Sequence, residues 1–306
     1  MINEELNEVL KCVKCKAGNL KISSSGNELI CINCEARYNI LKNVPLLIDP
    51  LESETFGTSE VHENYGTVFK YIDHYRKDAQ VYDYFAERDS ETEHTDRRVR
   101  EYIDFNIRGK SGRILDVGCG KAWVAELFCP RDYSVVSMDI SIENTSEAIK
   151  KYPFKNHSAI VGDVYSLPFR NNSFDYIIAS EVIEHVYSPD ALVSNLINIL
   201  KPGGVLIITT PYREKIQYSL CIHCNRPTPH NAHLHSFDEK ILTSLYKEDD
   251  IKNLDFTTFA NKLLIHVRLN FILKYLNFYS WRLLDNLINK IYKVPSRILV
   301  KWEKRM

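Results

Sequence analysis

No apolar run in this chain approaches the 18 or so residues that a membrane-spanning helix needs. The N-terminus, MINEELNEVLK, is acidic and lacks the apolar core of a secretory signal, so the protein is expected in the cytoplasm. Net charge is also scarce, at −1, but it hides an asymmetry. Residues 262–306 hold ten Lys/Arg against two acids, Asp285 and Glu303, which leaves the rest at about −9. What is present is ordinary for a globular protein. With 44% hydrophobic and 26% charged residues among 306, a sizeable core is expected, in one large domain or two modest ones.

The chain is organised around Arg113–Trp123, read RILDVGCGKAW. A short apolar strand, Ile114–Leu115, leads to Asp116 and breaks into Gly118-Cys119-Gly120 before a helical run, Val124–Phe128. Glycines at such a turn let the backbone bend and let a ligand approach the helix N-terminus. The third glycine of a dinucleotide fingerprint is missing, with Ala122 where a further small residue is wanted. That absence, and the acid ahead of the glycines, fit a nicotinamide dehydrogenase poorly. Strands and helices then alternate, with strands at Ser134–Met138, Ala159–Val161, Tyr176–Ala179 and Val205–Thr209, which argues for a parallel α/β sheet. Acids recur at strand ends: Asp139, 23 residues after Asp116, then Asp163 and Glu181. Short loops at the carboxyl ends of the strands would set Gly118, Asp139, Asp163 and Glu181 around one crevice. A carboxylate at the end of the second strand can accept both ribose hydroxyls of a nucleoside.

Residues 113–245 resemble the S-adenosylmethionine-binding core of class I methyltransferases, of the type 11 kind. Asp116 with its two glycines carries the likeness, with Leu167-Pro168-Phe169, Asn171–Asp175 and Leu200–Gly204. The resemblance implies a Rossmann-like, doubly wound, mostly parallel sheet and S-adenosyl-L-methionine as cofactor. It implies cofactor contacts at Asp116, Gly118, Cys119, Gly120, Asp139, Ile140, Asp163, Val164 and Glu181. In that family Asp139 would take the adenosine ribose, Ile140 would pack on the adenine, and Asp163 would accept from the adenine amino group. Displacement at an activated sulfonium methyl asks the protein mainly to align the acceptor and exclude water. The lack of a clear catalytic triad therefore does not argue against an enzyme.

Six of the eight cysteines form C-x-x-C pairs. Cys12 and Cys15 precede Cys31 and Cys34 by a fifteen-residue gap, a zinc spacing that can close a tetrahedral shell. Reduced, unliganded thiols and a redox pair are the competing readings, the latter without the βαβ pattern it needs. Residues 1–50 resemble a small zinc ribbon of the kind that sits beside or partners methyltransferases. With all four positions filled by cysteine, the role would be structural or partner-docking. A second pair, Cys221 and Cys224, precedes His230, His233 and His235. It is a candidate Zn²⁺ site through Cys221, Cys224 and His233, but His233 or His235 facing the acceptor is an equal alternative.

After the fourth strand comes Ser180-Glu181-Val182-Ile183-Glu184-His185. On a helix Glu181, Glu184 and His185 share one face. His185 is the candidate catalytic residue, as a general base near the reacting methyl. The E-x-x-E-H pattern also resembles the metal site of small-RNA and ubiquinone-pathway O-methyltransferases, so Mg²⁺ is a competing, less favoured reading. Residues 51–112 read as a linker and helical lid rich in tyrosine, Tyr65 to Tyr84. Its aromatics either pack on the sheet or reach the cofactor or substrate. Arg97, Arg98 and Arg100 read as a solvated helix face.

The sheet domain is placed at 113–260 and basic amphipathic helices at 261–306. Leu269 to Ile291 repeat at helical spacing among Arg268, Lys274, Arg282, Lys290 and Lys293. Such a tail can lie on the inner face of an anionic membrane, pack or form an oligomer contact, or, less favourably, touch nucleic acid. The expected activity is methyl transfer to a small-molecule, glycan or lipid-linked acceptor, most plausibly at oxygen. The alternatives are an RNA or protein methyltransferase recruited by the zinc ribbon, and a non-catalytic zinc-binding scaffold with a vestigial core. The oligomeric state stays open.

Overall fold

The computed structural model describes residues 4–49, 61–62, 67–68, 71–220, 225, 227–266 and 273–306. A helix, Glu4–Val9, is followed by four short strands: β1 (Leu20–Ile22), β2 (Glu28–Cys31), β3 (Arg37–Leu41) and β4 (Val44–Leu47). They pair antiparallel in turn. A two-stranded pair, β5 (Val61–His62) and β6 (Thr67–Val68), precedes the helices Tyr71–Val81 and Ser90–Asn106. Asp89 caps the latter, its carboxylate accepting from the N–H groups of Glu91 and Thr92.

The parallel sheet then forms from β7 (Gly112–Val117), β8 (Tyr133–Asp139), β9 (His157–Gly162), β10 (Phe174–Ser180) and β11 (Leu200–Pro211). Helices cross between them, among them Trp123–Phe128, Ile142–Lys151 and Pro189–Ile199. Every residue of β9 is buried, as expected of a strand covered on both faces. A small hairpin, β12 (Tyr218–Leu220) with β13 (Pro227–Pro229), leaves the sheet after β11. Two long strands, β14 (Ile251–Asn261) and β15 (Pro295–Lys304), complete it.

The order is β1-β2-β3-β4-β9-β8-β7-β10-β11-β15-β14, eleven strands in one sheet. β8 lies on one side of β7 and β10 on the other, so the winding reverses there. In open α/β sheets that reversal opens a crevice beyond the carboxyl ends of the strands. The Rossmann-like expectation is met.

Two features depart from the sequence reading. First, residues 4–47 continue the main sheet, because β4 pairs parallel with β9 through Leu46 and Val161. Leu6, Val9, Leu10 and Leu29 share one buried cluster with Leu167 and Phe169. Second, the chain from 261 onward is not helical to its end. The helix Phe278–Ile291 gives way to β15, which lies antiparallel between β11 and β14. Ile298, Val300 and Trp302 enter one core while Leu299 enters the other, which is the period of a strand. Among the described residues, no helix is long and apolar enough to cross a membrane.

Candidate active site

A cavity of about 890 Å³ sits over the carboxyl ends of the parallel strands. One wall comes from the turn after β7. Gly118 and Gly120 both adopt left-handed backbone, with φ of 65° and 45°. A Cβ on Gly118 would sit 2.6 Å from a Val182 methyl, so this turn admits no side chain there. Asp139, at the end of β8, clamps it: Oδ2 accepts from the Gly120 N–H at 3.1 Å and Oδ1 from the Ser141 N–H at 3.0 Å. Ile140, Asp163 and Val164 complete this wall.

Asp116 and Cys119 do not line the cavity. Both are buried beneath it, at 2% and 3% exposure. Burial, with Asp139 close by, pushes the Asp116 carboxyl up to about 8. Its Oδ2 has no hydrogen-bond partner among the described residues. Asp116 thus holds a buried acid under the glycine turn rather than in the open crevice.

The opposite wall is the helix Tyr71–Val81 and the segment after it. Tyr75, Asp78, Tyr82 and Tyr84 face the cavity, and the Tyr84 hydroxyl donates to Asp78 at 2.5 Å. The Tyr84 ring lies against Gly120. Both readings of the aromatic lid therefore hold, packing and contact with the crevice.

The third wall departs from the helical reading. Glu181 has φ of 56°, and only a 3-10 turn, Ile183–His185, follows. Glu181, Glu184 and His185 consequently do not share a helix face. Glu181 lines the cavity and pairs with Arg297 at 3.0 Å, while Glu184 is 1% exposed and accepts from the Thr210 hydroxyl at 3.0 Å. Burial, then the nearby Glu181, hold the Glu184 carboxyl well above its usual range. Main-chain bonds from Leu234 and His235 to the Glu184 carbonyl fold the following loop over this turn. That brings His233 beside His185, ring centroids 4.8 Å apart. His185 Nδ1 donates to the Ala232 carbonyl at 3.3 Å, which leaves Nε2 as the acceptor nitrogen of the neutral ring. Burial, then the neighbouring His233, push His185 down to about 4. His233 Nδ1 lies 2.5 Å from a Glu214 oxygen. His235 instead donates to the Val186 carbonyl at 2.8 Å.

Ligand atoms of Glu184, His185 and His233 all lie within 4.8 Å of one another, a spacing that can hold a cation. Cys221 and Cys224 lie outside the described residues. Arg297, Glu214 and Tyr218 escape the sequence reading. Arg297 stands in a stretch that reads as helix, and neither Glu214 nor Tyr218 falls in a motif.

The N-terminal cysteines converge far more tightly. Cys12 and Cys34 sulfurs are 3.6 Å apart, as are Cys15 and Cys31. A tetrahedral zinc with Zn–S of about 2.3 Å puts sulfurs roughly 3.8 Å apart, so the four fit that ion. The Gly18 N–H donates to Cys15 Sγ at 3.3 Å, and a Cβ on Gly18 would come 2.2 Å from Cys31 Sγ. Hydrogen bonding, first from the Ala17 N–H, draws the Cys15 thiol down to about 6, toward the thiolate a metal requires.

A family profile described as "Methyltransferase domain" matches residues 92–255, more than half of the chain. The chain belongs to the methyltransferase-domain family. It is 32% identical over 112 residues to the ubiquinone biosynthesis O-methyltransferase of Bradyrhizobium sp. (strain ORS 278), covering 36% of this chain and 44% of that protein. The human mitochondrial ubiquinone biosynthesis O-methyltransferase is 34% identical over 116 residues, covering 36% of this chain and 31% of that protein. The chain thus matches less than half the length of either relative. Among solved structures, the complex of the Haloferax volcanii Trm112 methyltransferase activator and a methyltransferase shares the fold, at a TM-score of 0.50 and 15% identity. That match covers 71% of this methyltransferase-family chain and 93% of the other.

Proposed function

We propose that the protein transfers a methyl group from S-adenosyl-L-methionine to a hydroxyl of a small acceptor of phenol or quinol type. The observation that carries this is the cavity. One continuous space has a nucleoside-binding wall on one side and His185, His233 and the tyrosine lid on the other. The relatives' names, with O-methylation in ubiquinone biosynthesis, support oxygen as the target atom.

Asp139 would accept from the ribose hydroxyls, and the left-handed Gly118 turn would let the cofactor lie against backbone. Bound there, S-adenosyl-L-methionine supplies an electrophilic methyl on a sulfonium. The protein's own part is to orient the acceptor between the lid tyrosines and His185, exclude water, and take the hydroxyl proton at His185 Nε2. A second reading rests on the 4.8 Å grouping of Glu184, His185 and His233, which suits a divalent cation such as Mg²⁺. Dialysis against a chelator separates the two readings: a base needs no ion, whereas a cation site loses activity until Mg²⁺ is restored. Zn²⁺ is proposed at Cys12, Cys15, Cys31 and Cys34 in a structural role.

The test is calorimetric titration with S-adenosylhomocysteine, then transfer of labelled methyl to catechol and quinol acceptors. Micromolar binding is expected. Asp139→Ala should weaken it at least about 30-fold, the loss of hydrogen bonds to a charged group, with zinc content unchanged. Absence of binding by folded, zinc-loaded protein would overturn the proposal and return weight to the scaffold alternative.

A further inference from the structure

The helix Phe278–Ile291 has two unlike faces. One is packed: Trp281 and Asp285 are buried, and Trp281 meets Tyr102 in the core beneath the helix Ser90–Asn106. The other is apolar and uncovered. Tyr279, Leu283, Leu287 and Ile291 recur every four residues and are 70%, 63%, 49% and 88% exposed. At 1.5 Å per residue they form a straight stripe about 18 Å long. Exposed Tyr275 extends it at one end and Tyr292 at the other. A stripe of this size, four helical turns with no cover, marks an interaction face.

Its charge selects the occupant. Lys274, Lys290 and Lys293 are exposed around the stripe, and Arg282 lies over the Phe105 ring at 4.5 Å. From 256 to 302 the sequence holds a single acid, Asp285. Asp285 is wholly buried, accepting from the N–H groups of Ala260 and Asn261. The nearest acids of the adjoining helix are neutralised, Asp104 by Arg131 and Glu101 by Arg97 and Arg98. The face therefore offers apolar side chains within a purely cationic border. A second copy of the chain would bring cation against cation. A nucleic acid would satisfy the lysines and leave the four apolar side chains in water.

We infer that this face docks the protein on an anionic lipid surface, the helix lying in the plane of the headgroups. Tyr279, Leu283, Leu287 and Ile291 enter the acyl boundary while the lysines meet lipid phosphates. Its 14 residues are too few to span a bilayer, so it lies on the surface. The stripe ends at Ile291, six residues before Arg297, which reaches Glu181 in the cavity wall. Docking would thus bring the cavity end of β15 toward the membrane. That last step rests on the proposed methyl transfer and favours an acceptor partitioned in lipid; the docking itself does not depend on it.

The test uses the full chain, zinc-loaded, in flotation with vesicles of phosphatidylcholine alone or with phosphatidylglycerol added. Binding is expected only with phosphatidylglycerol, and raised salt should weaken it. The double substitution Leu283→Glu/Leu287→Glu lies at exposed positions and should leave the thermal transition in place while lowering vesicle affinity at least about tenfold. Lys290→Glu/Lys293→Glu should remove the preference for anionic lipid. Failure of the wild-type chain to float with anionic vesicles overturns the inference, as does undiminished flotation of Leu283→Glu/Leu287→Glu. So does a dimer in light scattering that the same double substitution dissolves. None of these readouts involves the cofactor, so a failed docking is distinct from a failed methyltransferase assignment.

Discussion

Gly118 is held by two constraints, and they can be separated. Its φ of 65° disfavours any L side chain, and a Cβ would press to 2.6 Å from Val182. Gly118→Ala should lose about 1–2 kcal/mol to the left-handed backbone and about 1–3 kcal/mol to the contact. Adding Val182→Ala should return only the second part. Denaturant melts of the two variants check this, and complete recovery would show that the backbone contributes nothing. His94 gives a pH prediction. It is 7% exposed, and burial, then Arg98, push it down to about 4 from 6.5. Above pH 6.5 it is neutral folded or unfolded and adds no pH dependence. Between 6.5 and about 4 the unfolded chain takes up a proton that the folded chain refuses, so stability falls with acid, by at most about 1.4 kcal/mol per pH unit. His94→Gln should flatten that slope; an unchanged slope would place the acid sensitivity elsewhere. Arg98 shows why single residues are hard to read from sequence. In a run of arginines it looks solvated, yet it is fully buried, donating to the carbonyls of Leu273 and Leu276 more than 170 positions away.

Elements were legible where a local pattern decided them. Strands β7 to β11 announce themselves as apolar runs ending in glycine or an acid, because strands buried on both faces need apolar residues throughout. β15 was hidden. Its alternation of Ile298, Val300 and Trp302 lies in a basic stretch that follows helical leucines, and only pairing with β11 and β14 makes it a strand. Arg297 was lost with it. The Glu181–His185 turn failed for the opposite reason: helical spacing was present, but the left-handed Glu181 stops the helix from starting. The cysteine turns yield an element-scale prediction through two glycines. Gly26 has φ of 75° but open space around its Cβ position, whereas a Cβ on Gly18 would strike Cys31 Sγ. Gly26→Ala should cost about 1 kcal/mol and keep its zinc. Gly18→Ala should empty the site. Elemental analysis of the two purified variants reads this directly, and equal zinc in both would remove the proposed tetrahedral shell.

At the scale of the whole molecule, the cysteine segment and the methyltransferase sheet are parts of one body. β4 is hydrogen-bonded to β9, the Lys11 N–H donates to the Pro168 carbonyl at 2.9 Å, and the Arg170 N–H donates to the Val9 carbonyl at 2.8 Å. Leu10 and Phe169 are both fully buried in the same cluster. β9 also leads directly into Asp163, a wall of the cavity. Metal loss should therefore not stay local. Structural zinc contributes about 10 kcal/mol or more to small domains, although part of that remains with a segment already packed on a larger core. For a chain of this size the apparent melting temperature should fall on the order of 10 °C when zinc is stripped. Calorimetry should show a single transition that moves as a whole, and S-adenosylhomocysteine affinity should fall with it because Asp163 is carried by the strand that β4 supports. Two transitions, the upper one unmoved and still raised by S-adenosylhomocysteine, would show instead that the sheet beyond residue 112 stands alone and that the shared core is incidental to the site.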